Sequence, residues 1–97
     1  MRFLWNDEAL SEYEYAAEYF GQQEPGLDER FAECIESAIE SVCSAPKVWP
    51  VIEDDVRRRV THTFPYSIVY LEIERLVVII AVMHHSREPG YWRKRLE

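Results

Sequence analysis

Lysine is almost missing from this 97-residue chain: Lys47 and Lys94 stand alone beside nine arginines. Cysteine is nearly as scarce, with only Cys34 and Cys43. Nine residues apart in one helical stretch, they would sit on roughly opposite faces, about 13 Å apart along the axis, too far to bridge each other. No C-x-x-C pair suggests a metal site, so both thiols are expected to be small packing groups in a reducing compartment. Glycine occurs three times. The longest apolar run, Leu76 to Met83, is about half of what a membrane-spanning helix needs. "MRFLWNDEAL" turns acidic too early to be a cleavable leader. These absences predict a soluble, unexported cytoplasmic chain with no membrane partner, and nothing in it calls for a cofactor or a metal.

Apolar residues make up 47% of the chain and are spread along it, enough for the core of one small domain spanning residues 1–97. The net charge of −7 hides a division. Residues 1–56 hold 14 acids and 3 bases, and residues 57–97 hold 4 acids and 8 bases. The first part is therefore at −11 and the second at +4. The basic part suits an anionic partner, whereas the acidic part would repel an extended polyanion.

Periodicity orders the elements. "RFLW" reads as a short strand closed by Asn6, a helix N-cap. Ala9, Tyr13, Ala16, Ala17 and Phe20 then recur at the spacing of one buried helix face, until "GQQEPG" breaks the pattern. Leu27, Phe31, Ile35, Ala38, Ile39 and Val42 form a second stripe, ended by "SAP" at 44–46. The short connection implies an αα-hairpin. Residues 47–54, "KVWPVIED", show no period and are expected to be a loop. From Val56 the chain turns β-branched: "VRRRVTHTF", "PYSIVYLEI" and "RLVVIIAVM" read as strands, the last two joined by a hairpin turn at "ER" or "IER" that lacks the usual glycine or asparagine.

The order β-α-α-β-β-β predicts an α+β two-layer sandwich, a helical hairpin packed on a mainly antiparallel sheet. One helical hairpin covers only one face of a sheet, yet residues 66–83 are apolar on both. The tail at 84–97, a second copy or a partner protein must cover the other. Arg57, Arg58 and Arg59 alternate in direction, so at least one points to the helix side, where a helix glutamate is the expected partner. Tyr15 and Tyr19 are expected to form an exposed strip on the first helix, and Trp5 and Trp49 to be core or rim aromatics.

"VRRRVTHTFPYSIVYLEIERLVVIIAVMHHSREPGYWRKR", with the acidic helix pair before it, resembles the toxins of the RelE/ParE superfamily of bacterial toxin–antitoxin modules. The resemblance implies the same β-α-α-β-β-β fold, a cognate antitoxin, and one of two activities. RelE-like members cut messenger RNA in the ribosomal A site; ParE-like members act on DNA gyrase without a working nuclease site. For a nuclease, the resemblance points to Arg59, His84, Arg87 and Tyr91 as the catalytic set, with Arg57 as a further strand base and His84 or His85 as the proton acceptor. The missing strand lysines and the acidic balance favour the ParE-like branch, acting by binding. Arg87, Tyr91, Trp92, Arg93 and Arg95 are then the expected partner contacts, since tryptophan, tyrosine and arginine dominate interface energetics. A non-toxic relic that only pairs with an antitoxin remains a third reading. A homodimer or a heterotetramer with the antitoxin is left open.

Overall fold

The computed structural model describes residues 1–97. Strand β1 (Arg2–Trp5) leads into helix α1 (Asp7–Gln23), and helix α2 (Leu27–Ser44) follows after a three-residue connection. Strands β2 (Val51–Glu53), β3 (Val56–Val60), β4 (Tyr66–Ile73) and β5 (Leu76–His84) come next, and a 3₁₀ turn at Arg93–Leu96 ends the tail. Asn6 caps α1 as expected: its Oδ1 accepts from the backbone N–H groups of Glu8 at 2.9 Å and Ala9 at 3.3 Å.

The sheet order is β1-β5-β4-β3-β2. β1 runs parallel to β5, from Arg2 opposite Leu76 to Trp5 opposite Ile79, and every other pairing is antiparallel. The α+β two-layer fold is thus the expected one, with one correction. Residues 47–54 are not wholly loop, because Val51–Glu53 pairs with β3 as an edge strand. Two of its three residues are exposed, so no burial period marks it in the sequence; its partner strand defines it.

Alternation along the strands separates two cores. Toward the helices, Ile68, Tyr70, Val77, Ile79 and Val82 pack against Ala9, Ala16, Phe31, Ile35, Ala38, Ile39 and Val42. A fully buried aliphatic or aromatic side chain contributes about 1.5–3 kcal/mol, so this cluster dominates stability. Cys34 and Cys43 pack against it as free thiols. On the opposite face, Val56, Val69, Ile80, Ala81 and Met83 form a second cluster, closed by Trp92. A bulge makes both clusters fit one strand: Val69 faces Ala81 while Tyr70 faces Ile79, which leaves Ile80 as the extra residue of β5.

The β4–β5 hairpin turns on Glu74 (φ 49°) and Arg75 (φ 66°), two successive left-handed residues that are not glycine. This is the pattern of a type I′ turn, which asparagine followed by glycine adopts with least strain. The double substitution Glu74→Asn, Arg75→Gly is expected to stabilise the chain by roughly 0.5–1.5 kcal/mol. Urea unfolding checks it; an unchanged midpoint refutes it.

Several phenols share the helix-side core. Burial, the Glu36 hydrogen bond and its charge push Tyr13 up to about 12. Burial likewise pushes Tyr70, whose hydroxyl donates to Pro46 O at 2.7 Å, up to about 12. A phenol pKa raised above its unfolded value near 10 contributes stability that is complete below about pH 10 and is lost as pH climbs through the folded value. Stability should therefore decline between about pH 10 and 12. Phenolate absorbance and circular dichroism followed together check this, because the buried phenols should ionise in step with unfolding.

Candidate functional site

Beyond Trp5 the first strand turns away into α1, and the edge of β5 from Ile80 onward has no strand beside it. The tail fills that gap. Val82 N–H donates to Glu12 Oε1 at 3.1 Å, and Ile80 O accepts from Arg95 Nη1 at 3.1 Å. Arg95 Nη1 and Nη2 also donate to the two Glu12 oxygens, at 2.7 and 3.1 Å, and Tyr91 Oη donates to Glu12 Oε2 at 2.6 Å. One carboxylate on α1 thus ties the tail, β5 and the helical layer together. The Arg95 side chain is only 8% exposed. Burial opposes its charge, and Glu12 more than offsets that, so the guanidinium pKa ends raised. Burial, then the bond to Glu12 and its charge, hold the Tyr91 phenol well above its ordinary value. Trp92, 2% exposed, packs within the second core, so the tail itself is the cover that the two-faced strands required.

Of the residues expected for catalysis, only Arg87 and Tyr91 meet. Arg59 points to the helix side, where its Nε donates to Ser41 Oγ at 3.1 Å, a second nitrogen donates to Val60 O, and its guanidinium stacks over Trp49. Arg57 shares that side and donates to the carbonyls of Lys47 and Trp49. Neither takes the expected glutamate partner: loop carbonyls take Arg57, and the Ser41 hydroxyl, the Val60 carbonyl and the Trp49 ring take Arg59. His84 ends β5 edge-on against Tyr66, with Nδ1 bonded to Ser86. It borders a shallow aromatic hollow with Tyr15, Tyr19 and Phe20, in which Tyr15 and Tyr19 are exposed as expected. Arg87 lies on the tail, its guanidinium 3.8 Å from the centre of the Tyr91 ring.

A different set converges. Arg58, alone of the three strand arginines, points to the tail side, and its Nε donates to Ser67 Oγ at 2.9 Å. His85 Nε2 meets the same hydroxyl at 3.0 Å. With Arg87 and Arg93 they line a polar cleft of about 240 Å³, bounded by Ile52, Glu53, Met83, Pro89, Gly90 and Trp92. Glu53 grips Arg93 with both oxygens, at 2.8 and 2.7 Å from Nε and 2.5 Å from Nη2, and the pair holds Glu53 below the usual carboxylate range. Gly90 makes room: its φ is +77°, and a Cβ there would lie 2.3 Å from Arg93 Cζ. Sequence reasoning passed over Arg58 and Ser67. Strand parity was the available signal, since both belong to the face opposite the helices. No three of the His, Cys, Asp and Glu side chains gather as metal ligands, and no helix is long and apolar enough to cross a membrane.

Comparison with known proteins agrees with the fold. Residues 3–89 match the family described as the ParE toxin of the type II toxin–antitoxin system, parDE. No curated protein matches the chain. A family match over nearly the whole length, on a two-helix, five-strand sandwich of the expected element order, decides the assignment. The chain belongs to the ParE toxin family of type II toxin–antitoxin systems.

Proposed function

We propose that this toxin arrests growth by docking on a protein target, DNA gyrase, through the face formed by its tail, and that its cognate antitoxin neutralises it by competing for the tail. The observation that carries the reading is that Arg59 on Trp49 and His84 on Tyr66 lie apart from the Arg87–Tyr91 contact. General acid–base cleavage needs its groups within hydrogen-bond reach of one phosphate, whereas Arg59 stacks over Trp49 and Tyr91 is bonded to Glu12. Among the expected contacts, Arg87 and Arg93 are exposed and meet the partner directly. Tyr91, Trp92 and Arg95 are the fixed base that holds them in place, which favours binding because little order must be gained.

Induced expression with DNA synthesis and translation followed separately tests this. Early loss of DNA synthesis with an SOS response is expected; early translation arrest with codon-phased cuts in ribosome-bound message overturns it. Arg93→Ala should relieve toxicity while leaving the melting temperature nearly unchanged, because exposed ion pairs contribute little to stability. Full toxicity of that variant would remove Arg93 from the contact.

A further inference from the structure

The cleft between β3, the end of β5 and the tail holds more positive charge than the chain itself compensates. Glu53 takes only Arg93. Arg58 uses Nε on Ser67, and its two terminal nitrogens donate to no protein group. Arg87 rests on the Tyr91 face with no carboxylate within ion-pair distance. Both guanidinium groups are nevertheless held in position, one through buried Ser67 and the other by the aromatic ring. Two oriented, unpaired guanidiniums facing one small cleft, in a chain of net charge −7, make a site for an anion.

We propose that this anion is a side-chain carboxylate, and that the cleft binds an acidic segment of a protein partner. The proposal rests on the docking reading above and names the chemistry of what docks. Three features select a peptide carboxylate over a nucleic acid backbone. At about 240 Å³ the cleft accommodates one or two carboxylates rather than a strand of phosphates. The helical layer from Asp7 to Ser44 carries eleven acids and one base, so a long polyanion leaving the cleft would meet strong repulsion. Glu53 already makes the two-oxygen carboxylate–arginine contact at the rim, a geometry that a partner's glutamate would repeat on Arg87, while Arg58 offers its two terminal nitrogens.

The full chain titrated with a fluorescein-labelled glutamate homopeptide at low salt tests the site by anisotropy. The peptide should bind, weaken as salt is added, and lose about tenfold in affinity with Arg58→Gln or Arg87→Gln. Glu53→Gln should tighten binding, because it frees Arg93 to join the site; a merely structural role for Glu53 would not produce a gain. Arg87 is exposed, so Arg87→Gln carries the test even if Arg58→Gln unfolds. Affinity that is the same in wild type and Arg87→Gln overturns the proposal. So does tighter binding of an oligouridylate of equal charge that the same substitutions abolish, since that outcome makes the cleft a phosphate site. The two readings fail separately. Loss of DNA synthesis in cells without peptide binding removes the carboxylate site alone. Peptide binding by a toxin that arrests translation first removes the gyrase reading alone.

Discussion

Trp92→Ala is expected to destabilise the chain by about 3–5 kcal/mol, among the largest effects of any single change. Trp92 is 2% exposed and is the only fully buried residue outside the strands in the second core, where it covers Val56, Val69, Ile80, Ala81 and Met83. Removing it leaves a hole that the sheet cannot collapse into, because the strands beneath are fixed by their ladders. Equilibrium urea unfolding measures the loss. Trp92→Phe, which keeps most of the apolar area, should recover a large part of it. A loss below about 1 kcal/mol for alanine would mean that the tail leaves the sheet face in solution. The consequence for function is practical: a non-toxic Trp92→Ala variant would report a damaged fold, so docking must be tested at Arg87 and Arg93.

Glu12→Ala should cost a comparable amount, about 3–5 kcal/mol. The carboxylate is 18% exposed and accepts hydrogen bonds from Val82 N–H, Tyr91 Oη and two nitrogens of Arg95. Its loss leaves Arg95, whose side chain is 8% exposed, with the Ile80 carbonyl at 3.1 Å and a single carboxylate, solvent-facing Glu8, at 3.3 Å, and leaves the Val82 N–H without an acceptor. Removing one partner of a buried pair costs more than removing both, because the remaining charge is stranded. The double substitution Glu12→Leu, Arg95→Met should therefore be more stable than Glu12→Ala alone. If it is instead no more stable than Glu12→Ala, the cost lies in the lost bonds to Val82 and Tyr91 and not in a stranded charge. Hydrogen exchange at Val82 gives a local readout, since its amide should lose protection in Glu12→Ala before β4 does.

The same two residues mark the boundary of what could be read in advance. Both helices, the Asn6 cap and the three long strands follow from local patterns: 3.6-residue stripes, a capping side chain, β-branched runs. The need for a cover on the second sheet face also followed, because apolar residues on both sides of β4 and β5 cannot be satisfied by one helix pair. Strand β2 was missed for a local reason, since a three-residue edge strand with two exposed side chains has no period to detect. Glu12 was missed for a non-local one. Among the many acids of α1 nothing distinguishes it; its role comes from β1 ending at Trp5, which leaves Val82 N–H and Ile80 O bare where α1 crosses β5. The three strand arginines divide between the faces by parity, which was legible. That Arg58 would meet His85 and Arg87, and that Arg59 would turn to Trp49, required strand register and the path of the tail.

The sequence by itself determined both helices, the long strands, the two-layer architecture and the charge division, because each is written in nearest-neighbour chemistry and in strand and helix periods; the toxin superfamily came from the resemblance of its strand and tail sequences to known toxins. Only the tertiary structure decided which side chains face one another. It turned Tyr91, Trp92 and Arg95 into the fixed underside of the tail, separated Arg59 and His84 from Arg87, and gathered Arg58, His85, Arg87 and Arg93 at one cleft. The physical reason is that a buried polar group must be paired and an apolar face covered, and which partner does so depends on residues about seventy to eighty positions away in the chain.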